Sequence, residues 1–347
     1  MRWVAVLLSL AVSMADAWGI TYFLSGPDYS SQQMRNFSSC DVGNCAVYTT
    51  AMGVTGTLTT SGPMPANATK QNVNALITDY SFTDGVQTFA RSDPNTRAAF
   101  AFYAWTDANG QITLFQQEFQ HWQSATTPHQ GGDRMDFLQI TGDLNAIHAS
   151  HNFLCSNIAT RLPAGEVCTG TMPDAAYSTA GTGNGVWLTV GPSGTLSYEF
   201  YNTTLKHYFR TSEAAEARAI DAGAAGPGWV RTGLDFPAFV AGSGPGSDVC
   251  RFYNPVANTH FFTADPAECE QVKAPDSGWR YEGLAFRIQL PVAGQCPAGS
   301  LPVYRAYNNR FQFNDSNHRF TVRRGAYDEL VAQGWADEGV VMCAAGS

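Results

Sequence analysis

The sequence contains few charged residues, and this argues against two classes of binding partner. Only 14% of its 347 residues are charged, the formal net charge is −9, and no run of basic residues occurs. Nucleic acids and anionic membrane surfaces attract proteins through clustered lysine and arginine. We therefore expect neither nucleic acid nor a membrane surface as a partner.

The chain also lacks an apolar run long enough to cross a membrane, which takes about 20 residues. Its most apolar stretch, Trp3 to Met14, follows the basic Arg2 and precedes Ala15-Asp16-Ala17. This order of charge, apolar segment and small residues is typical of a secretory signal with its cleavage site. We predict a signal peptide at 1–17, an extracellular protein and no membrane attachment after cleavage. The alternative is a buried N-terminal helix.

No two of the eight cysteines stand in a C-x-x-C spacing, which argues against a thiolate zinc site or a redox pair. In an exported chain, cysteines generally form disulfides. Eight cysteines allow about 105 pairings, so pairing of sequence neighbours is a hypothesis, favoured because each bridge then stays within one domain or repeat. The hypothesis joins Cys40 to Cys45, Cys155 to Cys168, Cys250 to Cys269 and Cys296 to Cys343.

Catalytic signatures are absent as well. The sequence contains no G-x-S-x-G nucleophile turn, no H-E-x-x-H zinc motif and no glycine loop suited to phosphate. His148 and His151 form H-x-x-H without a general base, so we expect a surface or capping role for them. His121 and His129 lie in a polar stretch and are expected to be solvated. We predict no catalytic residue, no metal and no cofactor.

A chain of this length exceeds one ordinary core, so we predict two domains. The first, at 18–191, is expected to be an antiparallel β-sandwich or barrel, because apolar residues alternate and turn signals are closely spaced. One hairpin is predicted around Asp84-Gly85 and another around Asn109-Gly110, with late strands at 137–140 and 185–190. The turn Pro192-Ser193-Gly194 is the expected boundary.

Two segments of this first half carry a resemblance. Tyr48 to Thr57 reads Y-T-T-A-M-G-V-T-G-T, and Ser81 to Thr88 reads S-F-T-D-G-V-Q-T. Both resemble segments in the N-terminal β-domains of bacterial secreted and surface proteins. The resemblance implies a fold and a compartment, but no chemistry.

The second half, 192–347, repeats one pattern three times, at about 196–236, 248–286 and 302–343. Each copy contains an aromatic segment ending in Tyr-Asn, then a His-aromatic segment, then Gly-Trp. We interpret each copy as strand, strand, helix and strand. A single unit cannot bury its aromatic residues alone, so we predict three units closed around a pseudo-threefold axis, with a shared core and no free strand edges.

The helices carry end signals. In the second copy Asp265 is expected to cap the helix, Pro266 to occupy its first turn and Glu268 to complete a capping box. In the first copy Ser212 precedes a strong helix-forming run, 213–220, that Gly223 can end.

These repeats resemble a family of secreted-protein repeats of unassigned function with the pattern Y-R-F-Y-N, T-H-F-Y-T and G-W-x-Y-E-G. The first copy departs from it at Arg231-Thr232, and the third at Ala306 and in a longer loop after Asn308. The resemblance implies an accessory or binding module and names no ligand.

The recurrent Tyr, Asn and His positions are the candidate ligand-binding residues. An aromatic face can stack on a sugar ring while Asn and His supply directional hydrogen bonds. The competing interpretation is a framework role, and a variant places the three histidines around a zinc ion. The candidates are Tyr201, Asn202, His207, Tyr253, Asn254, His260, Tyr307, Asn308 and His318.

The sequence thus predicts a secreted, monomeric, non-catalytic binding or surface-interaction protein. Its expected partner is carbohydrate, as polysaccharide or another extracellular polymer. Two alternatives stay open: a secreted hydrolase with its site in the N-terminal domain, and a purely structural or adhesive surface protein.

Overall fold

The computed structural model describes residues 19–142, 146–191 and 193–346. The predicted signal peptide and Pro192 lie outside these residues. No helix in the described ranges is long and apolar enough to cross a membrane.

The N-terminal half, 19–191, is built from antiparallel strands in two sheets. One sheet has five strands in the order β12-β1-β2-β4-β5, and the other has the order β11-β10-β9-β8-β7-β3 with β6 paired to β8. The strands are β1 (Ile20–Ser25), β2 (Thr55–Thr60), β3 (Gln71–Asn72), β4 (Ile77–Thr83), β5 (Thr88–Ala90), β6 (Thr96–Ala98), β7 (Tyr103–Thr106), β8 (Ile112–Trp122), β9 (Arg134–Thr141), β10 (Ala146–Arg161), β11 (Gly165–Gly183) and β12 (Val186–Val190).

The two sheets share one apolar core. Leu58 and Phe82 from the first sheet are fully buried in the same cluster as Phe119 and Leu138 from the second. Neither sheet closes on itself within the described residues. Of the two predicted architectures, the sandwich is therefore confirmed and the barrel is wrong.

Both predicted hairpins are present, as β4–β5 and β7–β8. The longest hairpin, β10–β11, was not predicted. Its pairing shifts between His151 and Phe153, where Asn152 adopts a left-handed φ of 68°. This bulge interrupts the alternation of buried and exposed residues from which a strand is recognised.

The repeat region, 193–346, consists of three strand–strand–helix–strand units, as predicted. The last strand of unit 1 is divided in two. Unit 1 contains β13 (Gly194–Asn202), β14 (Tyr208–Thr211), α1 (Ala214–Asp221), β15 (Trp229–Arg231) and β16 (Phe236–Phe239); unit 2 contains β17 (Ser247–Asn254), β18 (Thr259–Thr263), α2 (Pro266–Val272) and β19 (Arg280–Ile288); unit 3 contains β20 (Ser300–Tyr307), β21 (His318–Thr321), α3 (Arg324–Ala332) and β22 (Ala336–Ala345).

The three units share a core, because Phe200 of unit 1, Phe262 of unit 2 and Phe320 of unit 3 belong to one buried cluster. The sheets, however, do not close. Strands follow the order β14-β13-β16-β19-β17-β18 in one sheet, with β15 on β13, and β21-β20-β22 in another. Strands β14, β18 and β21 end their sheets, so the expectation that closure hides every strand edge is wrong.

The helix signals were partly correct. Asp265 caps α2 by accepting hydrogen bonds from the backbone N–H groups of Ala267 and Glu268, and Pro266 opens the helix. The capping box is wrong, because the Glu268 carboxylate binds Arg305 instead. In unit 1 the predicted run does form α1, which ends before Gly223, where φ is 85°.

Four disulfides join the cysteines as sequence neighbours. Their Cα–Cα distances are 5.7, 5.7, 6.0 and 5.5 Å, within the usual range for such bridges. The pairs are Cys40–Cys45, Cys155–Cys168, Cys250–Cys269 and Cys296–Cys343.

The repeat region contacts the N-terminal half through α3. Arg323, which is 4% exposed, donates to Asp28 Oδ1 at 2.9 Å. The backbone N–H of Gly325 donates to the other oxygen of the same carboxylate at 2.7 Å. One aspartate therefore holds both a buried arginine and the first turn of α3.

Candidate functional site

Strand register shows which residues of the three units are equivalent. Tyr201 lies opposite Tyr208, Tyr253 opposite His260 and Tyr307 opposite His318. The equivalent of His260 and His318 in unit 1 is thus Tyr208, and the alignment of His207 with them is wrong. The error arises because unit 1 carries its histidine one residue before the aromatic position.

The three asparagines act in turns. Each side-chain oxygen accepts backbone N–H groups: Asn202 at 3.0 and 2.9 Å, Asn254 at 3.0 and 2.9 Å, and Asn308 at 3.4 and 3.0 Å. These carboxamide oxygens are therefore occupied by the chain itself.

His207 is buried and fixed between units. Its Nε2 lies 2.9 Å from Asp315 Oδ1 in unit 3, and its Nδ1 lies 3.4 Å from the carbonyl oxygen of Asn258 in unit 2. Both ring nitrogens have protein partners, so this side chain ties three units together.

The aromatic residues are arranged differently from the asparagines, because they form three equivalent, partly exposed pairs. The ring centroids are 4.8 Å apart in Tyr201/Tyr208, 5.0 Å in Tyr253/His260 and 4.4 Å in Tyr307/His318, where the rings are stacked. We call these the aromatic pairs. They are the part of the predicted site that the fold presents at equivalent positions.

Each aromatic pair lies at an interface between units. The His260 ring packs on Phe209 of unit 1 at 4.7 Å, and the His318 ring packs on Phe261 of unit 2 at 4.8 Å. At the interface of units 3 and 1, Tyr208 packs against the guanidinium of Arg319 at 4.3 Å. All three interfaces exist, so the units form a ring even though the sheets stay open.

Salt bridges stabilise the interface of units 1 and 2 and the interface of units 2 and 3 in the same way. Arg251 of unit 2 binds Glu216 of α1 at 2.8 Å and Glu282 of its own unit at 2.9 Å. Arg305 of unit 3 binds Glu268 of α2 at 2.9 Å and its own Glu338 at 2.8 Å.

At the third interface, between units 3 and 1, the charges are exchanged. Glu199 stands where the other units have arginine, and it is fully buried. It binds Arg210 and Arg319, each at 3.0 Å, and accepts a hydrogen bond from Thr232 at 2.8 Å. Arg319 in turn stands where the other units have Phe209 and Phe261. The sequence analysis did not predict this interface. Its signal in the sequence was a pair of exchanges between the repeats: glutamate replaces arginine at position 199, and arginine replaces phenylalanine at position 319.

The two interface histidines are neutral at physiological pH. Burial lowers the pKa of His260 to about 4, although Glu282 opposes the shift. Burial, together with the charge of Arg305, lowers the pKa of His318 to about 3. Neutral imidazoles stack as ordinary aromatic rings, so these pairs present uncharged aromatic surface.

The three-histidine zinc variant fails, because His207 is not equivalent to the other two. Across the described ranges, no group of three or more His, Cys, Asp or Glu side chains is arranged to hold a metal ion.

Two of the four histidines of the N-terminal half, His121 and His151, belong to a buried network, contrary to the roles expected for them, whereas His148 is exposed, as expected. His151 Nε2 lies 2.9 Å from Asp84 Oδ2, and its Nδ1 lies 3.4 Å from Asp136. Asp136 continues to His121 at 3.4 Å, which lies 3.3 Å from Asp93. Such a chain of alternating acid and imidazole ties β8, β9 and β10 to the β4–β5 turn.

Burial would raise the pKa of Asp84, but its hydrogen bond and ion pair with His151 outweigh this and lower it. Burial would lower the pKa of His151, and the same partner raises it instead. His151 and Asp84 are 3% and 0% exposed, so a substrate has no access to this pair. His129 is likewise buried, stacked 4.1 Å from Trp122, rather than solvated.

Comparison with known proteins covers the repeat region. No curated protein and no solved structure matches the chain. Residues 195–345, which hold all three units, match the model of a family described as a domain of unknown function (DUF5648).

Proposed function

We propose that this is a secreted, non-catalytic binding protein whose repeat region binds carbohydrate through the three aromatic pairs. The observation that carries the proposal is their equivalence. Each unit offers a partly exposed tyrosine, Tyr201, Tyr253 or Tyr307, beside a second ring at a unit interface. Four disulfides support the extracellular part of the proposal.

An aromatic ring suits a sugar because the apolar C–H face of a pyranose can lie flat on it. Hydrogen bonds then give orientation, and the hydroxyls of Tyr201 and Tyr307 can donate them, whereas the Tyr253 hydroxyl already donates to Asn258 Oδ1 at 2.9 Å and can only accept. The turn asparagines do not take this role, because their oxygens are bound to backbone N–H groups, the Nδ2 groups of Asn202 and Asn308 donate to Pro227 and Asp315, and Asn254 is 3% exposed.

Three weak sites on one rigid ring favour a polymer over a free sugar. Once one site is occupied by a chain of sugars, the next binds at a high effective concentration, and avidity can exceed single-site affinity by about 10² or more. We therefore propose an extracellular polysaccharide as the partner.

The test is retention on insoluble polysaccharides and mobility in affinity gels. Tyr201→Ala, Tyr253→Ala and Tyr307→Ala are expected to weaken retention singly by a few fold, and the triple variant should abolish it. Tyr281→Ala is the matched control, since Tyr281 is a 41% exposed tyrosine of the same region outside the pairs. Unchanged retention in the triple variant, or failure of the wild type to bind any polymer of a broad panel, would refute the proposal.

A further inference from the structure

Two adjoining cavities on the N-terminal half meet at Phe100. One has a volume of about 380 Å³ and the other about 350 Å³, and Phe100 lines both. This ring is 50% exposed. The guanidinium of Arg161 lies over it, 4.9 Å from the ring centroid, and is held there by a hydrogen bond to the carbonyl of Ala99 at 3.0 Å.

The first cavity combines aromatic side chains with two arginines, Arg91 and Arg97. The Arg91 side chain is exposed and forms no salt bridge or side-chain hydrogen bond with the described residues. Arg97 donates from Nη1 to the carbonyl of Thr96 at 2.9 Å, while its buried Nε has no hydrogen-bond partner in the described chain. That Nε is sealed from solvent, so a ligand can reach this guanidinium only through its Nη2, which forms no hydrogen bond with the described residues.

The acidic residue of the same cavity does not neutralise these arginines. Asp93 accepts hydrogen bonds from the Thr96 hydroxyl and the Asn95 N–H, both at 2.9 Å, and lies 3.3 Å from His121. Its oxygens are thus directed into its own turn and the histidine network. Neither arginine forms a salt bridge with the described residues, and in a protein with a net charge of −9 such a pair of guanidinium groups favours an anionic ligand.

The second cavity is lined by one arginine and one glutamate. The Arg161 guanidinium is bound to the Ala99 carbonyl and lies over Phe100, whereas Glu118 accepts hydrogen bonds from Gln120 at 2.7 Å and Gln139 at 2.6 Å. Phe137 and Phe153 also line it. A carboxylate already fixed by two amides accepts hydroxyl donors and disfavours a second anion.

We propose that the two cavities bind an acidic oligosaccharide in which a uronate sugar is followed by a neutral sugar. The uronate carboxylate binds the guanidinium groups of Arg91 and Arg97, the sugar ring packs on the exposed side of Phe100 that Arg161 leaves open, and the neutral unit places its hydroxyls toward Glu118. Each cavity lies at the lower end of the volumes that hold small ligands, which matches one sugar unit apiece. This site is separate from the aromatic pairs and does not depend on them.

The experiment is calorimetric titration of the full chain with a hyaluronan tetrasaccharide, which alternates glucuronate with a neutral amino sugar. The methyl ester of the same tetrasaccharide and neutral chitotetraose are the comparison ligands. We expect binding of the acid to be at least tenfold tighter than that of either neutral ligand, and to weaken as salt is raised.

Arg91→Gln and Phe100→Ala should each weaken binding of the acid about tenfold or more, and since both side chains are exposed these variants should fold. Arg280→Gln, an exposed arginine of the repeat region, is the matched control and should bind as the wild type does. The triple tyrosine variant should also bind normally, which separates this site from the repeat region. Equal binding of acid and ester, no binding of the acid, or an unaffected Arg91→Gln variant would overturn the proposal.

Discussion

Replacing Glu199 by glutamine tests the inverted interface between units 3 and 1. The carboxylate is fully buried and binds two arginines, each at 3.0 Å. Glutamine keeps the shape and one oxygen acceptor but removes the charge, so two buried guanidinium groups lose the one anion to which both are hydrogen-bonded. Removing one partner of a buried pair costs about 3–5 kcal/mol.

The remaining contacts indicate where in that range the cost lies. Arg210 keeps hydrogen bonds to the carbonyls of Phe320, Ser197 and Leu234. Arg319 donates no side-chain hydrogen bond to any described residue other than Glu199, and keeps the face of Tyr208 and the more distant charge of Glu329. One arginine is well compensated and the other is not, so we expect a loss of about 3 kcal/mol.

Urea unfolding monitored by tryptophan fluorescence measures this loss. Arg251→Gln is the matched control, since it removes the charge at the equivalent position of unit 2, where the side chain is 23% exposed. Solvent screens that pair, so its loss should be about 1 kcal/mol or less. An equal or larger loss in Arg251→Gln would show that burial does not set the strength of these interfaces.

Three further predictions concern pH and capping. Burial raises the pKa of Asp235 from 3.8 to about 6, so the folded state holds its proton more tightly and stability should fall as pH rises from about 4 to 6. Asp235→Asn keeps an acceptor for the Glu199 N–H and should remove this decline, stabilising the protein at pH 7 by at most about 3 kcal/mol in urea titrations. The raised pKa of His151 stabilises the fold below pH 6.5, and this contribution is lost as the pH rises through the pKa of the folded state. In His151→Gln the midpoint of urea unfolding should therefore change less with pH between about pH 6 and 9 than in the wild type. An unchanged pH dependence of the midpoint would refute the assignment. Asp265→Ala should cost about 1 kcal/mol and Asp265→Asn much less, as measured by thermal unfolding; equal losses would exclude a capping role.

The repeat architecture was predictable because its signals are local. Asp265 with Pro266 marks the start of α2, and Gly334 adopts the left-handed φ of 94° just beyond the end of α3. The hairpin turn at Asp84-Gly85 is equally local. Each signal depends on residues a few positions apart, which the sequence places side by side.

Contacts between distant segments were not predictable in this way. His151 and Asp84 are 67 residues apart, and no periodicity links them. His207 was matched to His260 by residue type, whereas strand register matches Tyr208 to it. The register of strand pairing decides which side chain faces the interface, and the sequence alone did not give that register to within one residue.

The inverted interface has a consequence for assembly. Arg251 and Arg305 each require a glutamate on the helix of the preceding unit, while Glu199 requires Arg319. A copy of unit 2 in the place of unit 1 would bring Arg251 against Arg319 with no buried acid between them. The charges therefore specify the order in which the units follow one another, and a ring with its units in another order would be disfavoured.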